Sequence, residues 1–234
     1  MRNMHMPFLY FNLYYLLFLA PALILAVIAQ MWVSSAYARA SQIPASMSGY
    51  AAARRILDAA GLTNVQIEAI PGHLSDHYDP REKVLRLSAD NYHGTSLAAV
   101  GIAAHESGHA LQDAMGYVPL IVRNLAVPAA QFGSSASMFM LFIGLAIHWS
   151  GLVLLGIITF SAVVFYQLVN LPVEFNASSR AKTLLISEGI VNQYDMAPVN
   201  NVLAAAALTY VAATLQSILQ LLWYILEFTN RRDR

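Results

Sequence analysis

The stretch Gly101-Ile102-Ala103-Ala104-His105-Glu106-Ser107-Gly108-His109-Ala110-Leu111-Gln112 decides how the rest of the chain is read. In a helix, residues four apart lie on one face, so the imidazoles of His105 and His109 can hold one metal ion between them. Glu106 stands beside them with a carboxylate able to take a proton from a water that the metal activates. That order of residues is the core of a zinc peptidase site. The surroundings favour helix: residues 97–115 are helix formers or small residues, Thr95 or Ser96 can cap the start, and Gly116 sits where a helix stops. The plainer alternative is an amphipathic helix with two histidines satisfied in a core. The motif's order and its cap signals weigh against it.

The 234 residues are 58% hydrophobic and 11% charged, with a mean hydropathy of +0.53. A soluble domain carries about 25% charged residues, so the expected surroundings are a lipid bilayer. The formal net charge is zero, which leaves no basic field to attract nucleic acid. The chain has no cysteine. Disulfides, thiolate ligands and a thiol nucleophile are thereby excluded, and histidine and carboxylate remain as metal ligands.

No Asp, Glu, Lys or Arg occurs between Arg2 and Arg39, between Arg123 and Glu174, or between Asp195 and Glu227. About 20 apolar residues cross a bilayer core as helix, so the first gap predicts one span, Phe8 to Val33, and the last another, Val202 to Leu226. The middle gap holds two spans, Ala126 to Ile147 and Leu152 to Val169, broken at His148-Trp149-Ser150-Gly151 with Trp149 suited to the interface. Ala36-Tyr37-Ala38 resembles a signal-peptide cleavage site. The apolar run before it is much longer than a signal core of about 7 to 15 residues, so an uncleaved anchor is expected.

The chain then divides into an N-terminal anchor (1–33), a mixed segment carrying the motif helix (34–124), a transmembrane hairpin (125–170), a helical segment (171–195), and a last span with a short basic tail (196–234). Four spans put both termini on one side and the 34–124 and 171–195 segments on the other. Within the mixed segment, Ser48 to Ala60 reads as a capped helix ended by Gly61, and Val65 to Ile70 alternates like a strand. Leu74 to Tyr78 and Val84 to Ser88 flank the turn signature Asp79-Pro80-Arg81-Glu82 and predict a hairpin just before the motif helix.

A catalytic zinc usually takes three protein ligands and keeps one position for water. Gln112 and Asp113 lie too near the histidines along the same helix to fold back onto the ion. Glu174 and Glu188 are on the matching side of the membrane, and Glu174 is preferred. It follows the third predicted span directly, with Pro172 placed at the first turn of a new helix. A glutamate favoured there by the helix dipole explains the same position equally well. His77 and Tyr78, on the hairpin beside the motif helix, are candidates for contacts to substrate or to the oxyanion of the transition state.

The stretches Ser75–Ser88 (SDHYDPREKVLRLS), Ala99–Gln112 (AVGIAAHESGHALQ), Leu171–Ala181 (LPVEFNASSRA) and Ala205–Leu215 (AAALTYVAATL), in that order, closely resemble a bacterial family of neutral zinc metallopeptidases. They are also distantly similar to HtpX-type membrane proteases. The resemblance implies Glu174 as third zinc ligand, since those proteases supply a glutamate in an E-x-x-x-D pattern. Ser178 stands where that aspartate would be, and Asn176 stands in a stretch that usually reads EFDAS. These departures leave the ligand intact and bear on what orients the histidines. The resemblance also implies an active site facing the cytosol. The positive-inside rule makes no choice, because Arg39, Arg123, Arg180 and Lys182 are balanced by Arg2, Arg231, Arg232 and Arg234.

The expectation is therefore a mainly α, multi-pass protein of the cell membrane, with four transmembrane helices and a small α+β zincin-like unit of the gluzincin kind. One Zn²⁺ per chain would be held by His105, His109 and Glu174, with Glu106 as catalytic base. Its partners would be the bilayer and a peptide or membrane-protein substrate, with no nucleic acid. An intramembrane-cleaving site is disfavoured by Asp90, Asp113 and Arg123 around the motif. The reading from another class is a membrane scaffold or chaperone-like protein with a structural or inactive metal site.

Overall fold

The computed structural model describes residues 13–232. In chain order these form α1 (Leu13–Ala40), α2 (Gly49–Ala59), β1 (Gln66–Ile70), β2 (His77–Asp79), β3 (Val84–Ser88), α3 (Ala89–His93), α4 (Leu97–Ala114), α5 (Val118–Ala146), α6 (Ser150–Ser187) and α7 (Met196–Arg232). The protein is mainly helical with one small mixed sheet. Four helices, α1, α5, α6 and α7, are long and apolar enough to cross a membrane. They contain the described parts of the four predicted spans, save Ile147 just past α5, and extend beyond them; Phe8 to Asn12 of the first predicted span lie outside the described residues.

By internal packing the chain forms two units. One takes residues up to Ile28, Val122–Asn170 and Tyr210 onward; the other takes Ala29–Ile121 and Leu171–Thr209. In the first, Leu141, Val153 and Ile157 pack with Leu145, Leu221, Tyr224 and Phe228. Tyr15 meets Trp223 edge-on at 5.5 Å between ring centres. Apolar side chains such as Leu125, Phe132 and Phe139 face outward, 76%, 71% and 69% exposed, which water would penalise and lipid would not.

In the second unit, β3 lies between β1, which pairs with it in parallel, and β2, which pairs antiparallel. The β2–β3 turn forms because Asp79 Oδ1 accepts from the backbone N–H of Arg81 at 2.8 Å and of Glu82 at 3.3 Å. Ile56, Leu57, Leu85, Leu87, Val100, Leu185 and Val199 make a common core from α2, β3, α4, α6 and α7. Ser48 caps α2 by accepting from Ala51 N–H at 3.2 Å, and Gly61 follows it with φ of 74°.

Three expectations are corrected. No helix begins at Pro172: α6 runs unbroken from Ser150 to Ser187 with Pro172 inside it. A proline forfeits one backbone bond, and packing from neighbouring helices makes that loss tolerable in a long apolar helix. The first hairpin strand is shorter than Leu74 to Tyr78 and covers His77–Asp79, because Gly72 and Leu74 take positive φ of 110° and 52°, which no strand accommodates. The short helix α3 between β3 and α4 has too few residues to show a period and was not anticipated.

Candidate metal centre

Helix α4 starts where Ser96 Oγ accepts from Ala99 N–H at 3.2 Å, and it ends before Gly116, whose φ is 62°. One helical turn separates His105 from His109, and their rings stand 4.8 Å apart between centres, nearly perpendicular. Helix α6 brings Glu174 to the same point. Its Oε2 is 3.3 Å from His105 Nε2 and 3.6 Å from His109 Nε2. The close approach depends on Gly108. A methyl group there would lie 2.8 Å from the Ala177 carbonyl oxygen on α6, nearer than real packing allows.

This arrangement fits a metal ion on its own terms. Glu174 is 5% exposed, and its buried Oε2 has no hydrogen-bond donor, although both imidazoles lie within ion-pair range. Buried carboxylate oxygens are seldom left so. In a tetrahedral site with bonds of about 2.1 Å, ligand atoms lie about 3.4 Å apart, close to both distances observed. The outer ring nitrogens are also engaged. His109 Nδ1 is 3.0 Å from Gln112 Oε1, and His105 Nδ1 is 3.2 Å from Ser178 Oγ, so each ring turns Nε2 toward Glu174. Histidine and carboxylate are the donor set zinc accepts.

Glu106 is 8% exposed. Burial pushes its carboxyl above the ordinary carboxylate range, with the neighbouring histidines acting in the opposite direction. A raised affinity for protons suits a group that must accept one and give it back. Glu188, the other carboxylate considered, sits apart from this group and pairs with Arg55 at 3.9 Å.

The hairpin candidates are placed differently. β2 is an outer strand of the sheet beside α4. The Tyr78 hydroxyl donates to Asp113 Oδ2 at 2.8 Å, and burial together with that carboxylate pushes the phenol up, keeping it a donor. Lys83 shares the same carboxylate. His77 is exposed, with Nδ1 2.9 Å from the Ser75 carbonyl. Their hydrogen bonds thus run to Asp113 and Ser75, not to the histidine pair.

Gln112 was set aside as a ligand and its actual contact was missed. The signal was available: it lies three residues after His109, on the same helical face. Ser178, four residues after Glu174 on α6, likewise touches His105 where an aspartate was expected.

Four apolar helices and a largely buried His–His–Glu group with a carboxylate beside it are the features of a membrane protein able to hold a metal ion. The chain belongs to the family described as "Putative neutral zinc metallopeptidase", which it matches over residues 15–229. It is 46% identical over 214 residues to the "Putative membrane protease YugP" of Bacillus subtilis (strain 168), covering 91% of this chain and 95% of that protein. No solved structure matches it.

Proposed function

We propose that this chain is a zinc-dependent endopeptidase of the gluzincin kind, multi-pass in the cell membrane, with one zinc ion per chain held by His105, His109 and Glu174. The observation that carries the reading is the convergence of His105, His109 and Glu174, which bring one ligand atom each within 4.8 Å of one another, next to buried Glu106. Zinc held there supplies a Lewis acid that polarises a peptide carbonyl and acidifies a water molecule. Glu106 receives the proton of the attacking water on its carboxylate and delivers it to the departing amine nitrogen. His105 and His109 would offer Nε2 to the metal with Nδ1 engaged by Ser178 and Gln112, and Glu174 would balance part of the metal's charge. Among the described residues the group contains three ligands, which favours a catalytic over a closed structural site. The test is cleavage of an unstructured protein and of a membrane substrate by purified protein in detergent, with zinc measured on the same sample. Full zinc with no hydrolysis of either would move the scaffold reading ahead.

The four apolar helices support a topology with both termini on one side and residues 34–124 and 171–195 on the other. Resemblance to HtpX-type proteases favours the cytosol for the latter. Single cysteines introduced near residue 5, near residue 230 and at exposed Tyr194 are clean probes, because the chain has no cysteine of its own. A membrane-impermeant thiol reagent is expected to label the two terminal positions alike and position 194 oppositely. Opposite labelling of the termini would remove this topology.

A further inference from the structure

Gln112 on α4 is a completely buried, uncharged side chain that reaches across to α6. Its Nε2 donates to the Val173 carbonyl at 2.8 Å and to Asn176 Oδ1 at 3.0 Å. Arg180 Nε also donates to Asn176 Oδ1, at 2.7 Å. A backbone carbonyl can only accept, so the amide nitrogen of Gln112 must face Val173, and its oxygen must face His109. That oxygen also only accepts, so the His109 ring nitrogen 3.0 Å away has to carry the proton. A neutral imidazole protonated at Nδ1 presents a bare lone pair at Nε2, the atom turned toward Glu174.

We propose that Gln112 is a positioning residue for the metal centre: it fixes the Nδ1–H tautomer and ring angle of His109 and ties them to the α6 backbone at the residue preceding Glu174. This rests on the zinc-binding reading above. The histidine on α4 and the glutamate on α6 are set in register by one amide, whose acceptor end reads the first and whose donor end reads the second. The histidine is thereby oriented without a buried charge. A carboxylate at position 112 would supply the same acceptor but would set a second buried anion against the Val173 carbonyl.

Zinc affinity, measured by competition with a chelating dye on the full chain in detergent, separates this from a plain helix tie. Gln112→Leu removes both ends of the link and is expected to weaken zinc binding on the order of 10- to 100-fold. Gln112→Glu keeps the acceptor for His109 and loses the amide donors, and is expected to bind zinc at least tenfold more tightly than the Leu variant. Equal impairment of the two variants would show that only the tie between helices matters and would overturn the proposal, as would an unchanged affinity in Gln112→Leu. If the Leu variant does not fold, ¹⁵N-histidine NMR of the zinc-loaded wild type decides. His109 protonated at Nδ1 and coordinated through Nε2 supports the proposal; coordination through Nδ1 overturns it. A wild-type protein that binds no zinc sinks the functional reading and this inference together, whereas zinc bound by the wild type and equally by Gln112→Leu sinks this inference alone.

Discussion

Glu106→Gln is expected to keep its zinc and to lose peptide hydrolysis by on the order of 10⁴-fold or more. A general base contributes roughly 10² to 10⁴ in rate, and on the proposed reading Glu106 serves a second time as the acid toward the leaving amine, so the loss belongs at the top of that range or above it. The substitution preserves shape and removes the oxygen that titrates. Its carboxyl lies outside the three atoms that converge between α4 and α6, so zinc content should not change. Hydrolysis within tenfold of wild type at full occupancy would mean the motif does not work as a peptidase site. Loss of zinc along with turnover would give Glu106 a structural part absent from this mechanism.

Glu174→Ala is expected to do the reverse, removing the metal first and the activity as a consequence. A four-ligand structural zinc site is worth about 10 to 16 kcal/mol, so one ligand's share corresponds to a loss on the order of 10²- to 10³-fold in affinity. The control is Glu188→Ala, which removes a carboxylate from the same helical end of the chain but breaks only a long contact to Arg55. Dialysis against zinc buffers with metal analysis reads both variants directly. If Glu188→Ala empties the site and Glu174→Ala leaves it loaded, the third ligand has been assigned to the wrong residue.

Much of this molecule is legible in its sequence, for reasons that differ from part to part. The four long helices show because an absence of charge over 30 or so residues has few explanations other than a bilayer. The motif helix shows because its two histidines lie one turn apart, and its ends carry Ser96 and Gly116, residues with a local physical role. The bend at Gly72 and Leu74 was hidden because leucine rarely takes positive φ, and the parallel pairing of β1 with β3 was hidden because it joins residues distant in the chain. Pro172 misled for a related cause: its local rule says helix start, and packing overrides it. The bonds from Gln112 to Val173 and Asn176, and from Ser178 to His105, show only once α4 and α6 are side by side. Polar atoms on two helices cannot be matched by spacing alone.

The order of the ligands along the chain carries a consequence for how the protein is made. His105 and His109 are synthesised with α4, but Glu174 follows only after all of α5 and the apolar part of α6 have been synthesised. A growing chain therefore carries His105, His109 and Glu106 before it owns Glu174, the third member of the group. On the reading proposed here, nascent chains halted at residue 170 hold zinc far more weakly than full-length chains; equal retention in the two would refute this. On that same reading, activity would be switched on only by completion of the chain, because hydrolysis would have to wait for the residue that α6 delivers after α5.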